Sequence, residues 1–166
     1  MISPKKETMT LIAYPKPEQS SRSEGLSFAL NFIRNPNMPL EQRVQEGRKA
    51  IMMLGHRLEA IHDEEGLTHF AYGGLIHILK EGDFWKNIAG EECKDWWLFG
   101  DFSKHTLGMS ISKANTLERI WVQAQKVGME AEEIERIGWS ASNAILKVAT
   151  NRDDVEMWME KFEESP

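Results

Sequence analysis

Ser110, Ser112, Lys113, Asn115, Thr116 and Arg119 fall within ten consecutive positions, and the one carboxylate among them is Glu118. Hydroxyl, amide and cationic side chains at this density suit recognition of a nucleic acid. An Asn offers a donor beside an acceptor, the pattern that matches adenine, and Arg or Lys matches the two acceptors of guanine. Hydroxyls and a helix N-terminus hold phosphate oxygens. Lys104 before the set and Lys126 after it are placed for contacts to the duplex backbone. The competing reading makes the same residues the solvated face of a core helix. In its favour, Glu118 would repel phosphate, and Ser103 and Lys104 stand where DNA-reading corners bury small or apolar side chains.

Other chemistries find less support. Glu59-Ala60-Ile61-His62 has the Glu-x-x-His form of di-iron helical bundles, but such a site needs a second copy and further carboxylates, and no second copy exists. His56, His62, His69, His77 and His105 share no ligand spacing. Cys93 is the single cysteine, so it forms no internal disulfide and anchors no multi-cysteine zinc site. A phosphate-cradling glycine loop, a His-Glu-x-x-His motif and a nucleophile elbow are all missing. The expectation is a protein that is not an enzyme and carries no cofactor or metal. Trp85, Trp97, Trp121, Trp139 and Trp158 mostly recur among apolar residues at helical spacing, which favours core packing over base stacking. Trp96 is the exception, pointing about 100° from Trp97 on one helix.

The elements that would position these residues meet at Leu107-Gly108-Met109-Ser110, the apolar-Gly-apolar-Ser signature of the turn in a helix-turn-helix. An amphipathic run from Lys94 to Thr106, anchored by Trp97, Leu98 and Phe102, precedes it. Ala114, Leu117, Ile120, Trp121 and Ala124 follow at helical spacing. Gly108 can take the left-handed conformation that ends the first helix, and Ser110 or Ser112 can cap the second. The phrase returns as Ile137-Gly138-Trp139-Ser140, either as a repeat or as an unrelated second corner.

No alternating β pattern of useful length occurs, so the expected fold is all-α: a compact multi-helix domain containing a helix-turn-helix, with a flexible N-terminal arm. Residues 1–38 read as that arm, proline-edged and polar, with room for one short helix. Residues 39–166 read as the helical domain. Within it, 39–64 is a long helix opened by Pro39 and ended by Gly66, with Gly47 and Gly55 marking close packing or a bend. Residues 67–90 form a buried helix and connector, 93–127 the helix-turn-helix, and 130–164 a set of acidic C-terminal helices. Short helices are expected at Ala131 to Ile137 and Ser142 to Ala149, followed by a last one capped at Thr150 or Asn151.

The net charge of −6 argues against unspecific coating of nucleic acid, but the charge is uneven. From Cys93 to Lys126 five bases face three acids, whereas from Glu130 to Pro166 ten acids face four bases. Double-stranded DNA is thus the expected partner of the middle third, and a protein partner suits acidic 130–164. The stripe Val44, Ile51, Leu54, Leu58, Ile61 suggests a homodimer through 40–62. No run approaches the roughly 20 apolar residues needed to cross a bilayer, and no secretory signal is evident, so a cytoplasmic protein without membrane contact is expected.

The order of an apolar helix, a Trp85 connector, the Trp97–Phe102 helix, Leu107-Gly108-Met109-Ser110, Ile137-Gly138-Trp139-Ser140 and a terminal Trp158 helix resembles a class of small helical proteins of bacteria, phages and plasmids, regarded as DNA-binding. The likeness covers residues 67 to 163. It implies a DNA-binding regulator or accessory factor of mobile-element origin. The alternative is an acidic helical adaptor or inhibitor that binds protein and makes no nucleic-acid contact.

Overall fold

The most apolar stretch of the sequence becomes the axis around which the other helices pack. The computed structural model describes residues 24–60, 65–91 and 98–164, which are all-helical with no strand among them. The helices are α1 (Glu24–Arg34), α2 (Leu40–Ala60), α3 (Glu65–Lys80), α4 (Phe84–Ala89), α5 (Phe99–Phe102), α6 (Ile111–Val127), α7 (Ala131–Ile137), α8 (Trp139–Val148) and α9 (Arg152–Glu164). A 3₁₀ turn, Glu81–Asp83, joins α3 to α4, and a π-helical turn, Ser103–Leu107, extends α5. In α3, Leu67, Phe70, Ala71, Tyr72, Leu75, Ile76, Ile78 and Leu79 are all buried. A helix apolar on every side must be enclosed on every side, and α1, α2, α4, α6, α7 and α8 all pack against it.

The closest of these approaches is to α6. A Cβ on Gly73 would collide with the backbone oxygen of Leu117, and one on Gly74 would lie 2.7 Å from both Trp121 Nε1 and Ile33 Cγ2. Two adjacent glycines therefore let α6 run against the α3 backbone. One and two turns further along the same face of α3 stand His77 and Lys80. His77 packs on Trp121 and reaches Glu118, and Lys80 reaches Glu118 and Asn115. Moving toward the C-terminus of α3 thus moves toward the N-terminus of α6, so the two helices are antiparallel.

Three expectations need correction here. Residues 24–34 do not belong to an arm: Leu26, Ala29, Leu30, Phe32 and Ile33 of α1 are buried, and each large apolar side chain buried stabilises by roughly 1.5–3 kcal/mol. Of the rest of the expected arm, residues 35–38 link α1 to α2, and 1–23 lie outside the described residues. Gly66 does not stop α2. It sits in the first turn of α3, where a Cβ would come within 2.5 Å of Trp139 Cβ, so its bareness serves packing against α8. The stripe expected to pair two chains is occupied by the chain's own core, with Leu54 fully buried and Val44 and Ile51 packed against buried neighbours. The side chain of Leu58 and all of Ile61 lie outside the described residues.

Other elements follow the sequence more directly. The Pro39 carbonyl accepts the first bond of α2 from Arg43 N–H. Gly128 ends α6 in the left-handed conformation, α7 has the expected bounds, and Asn151 Oδ1 caps α9 by accepting from Asp154 N–H. Gly47 lies against Ile88 and Phe84, whereas among the described residues nothing beyond its own stretch of helix lies within 4 Å of a Cβ built at Gly55. The acids of 130–164 are partly engaged within the chain: Arg152 holds Glu133 and Glu156, Arg136 holds Glu163, and Arg34 holds Glu132. The guanidinium of Arg152 keeps the Glu133 carboxyl below its ordinary range against the opposing effect of burial. Among the described residues no helix is long and apolar enough to cross a membrane.

The glycine contacts give opposed expectations for one substitution. Alanine gains about 1 kcal/mol over glycine in a helix interior, yet at Gly73 it must push against a backbone carbonyl that cannot rotate away, and overpacking costs about 1–3 kcal/mol. With that cost near the top of its range, because the obstacle is backbone, Gly73→Ala should lower the urea-denaturation free energy by about 2 kcal/mol net, and Gly55→Ala should raise it by about 0.5–1 kcal/mol. A neutral Gly73→Ala would mean that α6 does not need this proximity.

Candidate functional site

The corner that presents the candidate residues is built from local chemistry. The π turn ends at Gly108, which has φ 71° and ψ 27°, the left-handed conformation expected of it. The backbone oxygen of Ser103 accepts from both Gly108 N–H and Met109 N–H, the latter at 3.1 Å. The Ser103 hydroxyl, fully buried, donates back to the Met109 carbonyl at 2.8 Å. Ser103 and Met109 are therefore clamped from both sides of the turn. Ser103 is small and buried, and its hydroxyl has a partner, as buried polar groups require. Of the two candidate caps the structure uses Ser110, whose Oγ accepts from Lys113 N–H at 3.1 Å. Buried Met109 and Leu107 anchor the turn, and Trp85 packs against Phe99 and Phe102 to seat α5 on α4. Leu98, expected as an apolar anchor, is instead 71% exposed, while Phe102 is buried as expected. Lys94 to Trp97 lie outside the described residues.

The second Gly-x-Ser phrase folds differently. Gly138 has φ 93° and ψ 163°, and α8 starts at the very next residue. Ser140 lies within α8 and is no cap, while Ser142 Oγ donates to the Gly138 carbonyl at 2.7 Å. The two corners share residues but not a geometry.

On α6 the turn of 100° per residue sorts the candidates. Ser112, Asn115, Arg119 and Lys126 share one exposed stripe with Val122, and Thr116 flanks it. Lys113 projects about 100° away from Ser112 and stays exposed because it lies in the first turn. Lys104 is exposed on the preceding π turn. Two hydroxyls are engaged locally: Ser110 in its cap, and Thr116, whose Oγ1 donates to the Ser112 carbonyl at 3.0 Å. Asn115 Oδ1 accepts from Lys80 Nζ at 2.8 Å. Beside the stripe, a groove of about 310 Å³ between α6 and α8 is lined by Arg119, Gln123, Asn143 and Lys147 over Ile120 and Leu146.

Glu118 is turned away from the stripe. Its Oε1 accepts from Lys80 Nζ at 2.7 Å and its Oε2 lies 3.1 Å from His77 Nδ1, with the carboxylate side chain 19% exposed. Burial pushes its carboxyl up, but the hydrogen bonds and charges of Lys80 and His77 outweigh burial and hold it below the ordinary 4.5. The objection that Glu118 would repel phosphate thus loses force, because its charge is matched within the fold.

Sequence reasoning missed Lys80, His77 and Lys147. A signal was present for the first two: polar groups on a helix with so little polar surface must find partners, or burial is costly. Lys147 joins Arg119 only through the packing of α8. No cluster able to hold a metal occurs among the described residues, and the side chains of Glu59 and His62 lie outside them. His69 packs edge-on against Trp139. The described tryptophans are buried (Trp85) or packed against the core (Trp121, Trp139, Trp158), so none forms a stacking platform.

No family model, curated protein or solved structure matches the chain.

A depressed carboxylate stabilises fully above its unfolded value, and that contribution is lost as pH falls through the folded value. Glu118→Gln should therefore be less stable than the parent near neutral pH, with the gap closing as pH falls below 4.5. Denaturation across a pH series reads this. A gap that persists unchanged into acid would contradict a charge-dependent role for Glu118.

Proposed function

We propose that this protein is a DNA-binding regulator or accessory factor that uses α5, the Gly108 corner and α6 as a helix-turn-helix, with the N-terminal half of α6 entering the major groove. The observation that carries the reading is the make-up of α6. Its bases Lys113, Arg119 and Lys126 are exposed, while its one acid, Glu118, is withdrawn against α3 and paired. In such a unit the second helix contacts base edges through its first turns, and flanking cations hold phosphates. Ser112, Asn115 and Arg119 supply the base-edge set, Lys113 reaches one wall of the groove, and Lys104, Lys126 and Lys147 supply phosphate contacts. A capped N-terminus at Ser110 adds a partial positive charge at the same end.

A second reading rests on a separate feature. Ala144, Ile145, Val148, Trp158 and Phe162 line an apolar cleft of about 210 Å³ between α8 and α9, and Val148 is 56% exposed. Exposed apolar patches of this sort favour protein contact, as an adaptor would need.

Titration of a labelled random-sequence duplex at several salt concentrations separates the two. A nucleic-acid binder loses affinity steeply as salt rises, because phosphate contacts release counterions. Arg119→Ala and Lys113→Ala should each weaken binding about fivefold or more while leaving the melting temperature nearly unchanged, since both side chains are exposed. Salt-independent binding, or variants that bind like the parent, would remove α6 from the interface.

A further inference from the structure

We infer that Lys80, which lies on α3 and outside the corner, sets what Asn115 recognises and turns it from a reader of adenine into a reader of guanine. The inference rests on the DNA reading of α6. An ammonium group has only donors, so the 2.8 Å contact from Lys80 Nζ fixes the Asn115 amide with Oδ1 toward α3 and the Nδ2 group outward. Lys80 is itself held. It donates to Glu118 Oε1 at 2.7 Å, lies 5.6 Å from the centre of the Phe99 ring, and its side chain is 31% exposed.

An unconstrained Asn pairs with adenine by accepting from the N6 amino group and donating to N7. With Oδ1 engaged in a charge-assisted bond, the outward face of Asn115 offers donors. The major-groove edge that presents acceptors side by side is that of guanine, through O6 and N7. Phosphate oxygens present acceptors too, but they carry no sequence information, and the test separates the two. Phe99 belongs to the first helix of the corner, and Asn115 and Glu118 to the second. Lys80 thus touches both helices, and it places Asn115 through tertiary contact.

The experiment is selection of duplexes from a library with a randomised core, carried out with the parent, with Asn115→Ala and with Lys80→Met combined with Glu118→Gln. The double variant avoids baring the Glu118 charge. The parent should enrich guanine over adenine by about fivefold or more at one base pair, and Asn115→Ala should erase that preference alone. The Lys80 and Glu118 double variant should move the same position toward adenine and leave the rest of the site intact. If the double variant does not fold, parent binding to two duplexes that differ only by guanine or adenine there still tests the guanine preference, and a preference for adenine overturns the inference. Lys80→Arg, which keeps a cationic donor, should retain guanine.

Adenine preferred by the parent at that position, or no change in the double variant, would overturn the role of Lys80 while leaving the DNA reading standing. A uniform loss of affinity in Asn115→Ala with no change in base preference would assign Asn115 to phosphate and overturn the inference likewise. If the parent retains no duplex at all, the DNA reading fails and the inference fails with it.

Discussion

The approach of α6 to the bare backbone of α3 at Gly73 and Gly74 governs what the rest of the molecule can do. Side chains at those two positions would hold the helices apart, because the obstacles are the Leu117 carbonyl and the Trp121 indole rather than a flexible tip. With the backbones this close, His77 and Lys80 on the same face of α3 come within hydrogen-bond reach of Glu118 and Asn115. Packing that begins as a steric allowance thus ends as an electrostatic arrangement. The acid of α6 is drawn inward and its bases are left outside. The Lys80 and Glu118 pair is part-buried, and beyond its contribution to stability it sets the sign of the surface that remains.

The corner is a second, local constraint that acts on the same helix from its N-terminal end. Ser103 and Met109 fix the turn by hydrogen bonds in both directions, Gly108 supplies the left-handed step, and Ser110 caps α6. A π-helical turn before the glycine adds a residue to the ring closed by each hydrogen bond, and such turns occur frequently at functional positions. Both constraints direct the stripe of Ser112, Asn115, Arg119 and Lys126 toward solvent, one by holding the buried face and the other by setting where the helix begins.

What could be read from the sequence follows the range of the interactions involved. Gly108, the choice of Ser110 or Ser112 as cap, and the bounds of α7 depend on neighbours a few residues away, and residue type and local spacing pointed to them. The all-α class and the buried centre at 67–80 followed from apolar spacing alone. Lys80 acts on a residue 35 positions away, a pairing that spacing along one helix cannot reveal. The error at Gly66 has a related cause: glycine marks both helix ends and close helix contacts, and only the presence of Trp139 separates the two. The prolines around residues 24–38 suggested an arm, yet Leu26, Leu30 and Ile33 had the spacing of a buried helix face. Ser103 counted against the corner because its type was weighed without its partner, the Met109 carbonyl.

The central claim is that the outward stripe of α6 is the surface that meets DNA. Backbone amide NMR of the protein during addition of a short random-sequence duplex tests it most directly. The account predicts shifts concentrated at Ser112, Lys113, Asn115 and Arg119, with smaller ones at Lys104, Lys126 and Lys147, and none along α9. Shifts confined to the cleft lined by Val148, Trp158 and Phe162, or no shifts at all, would contradict it.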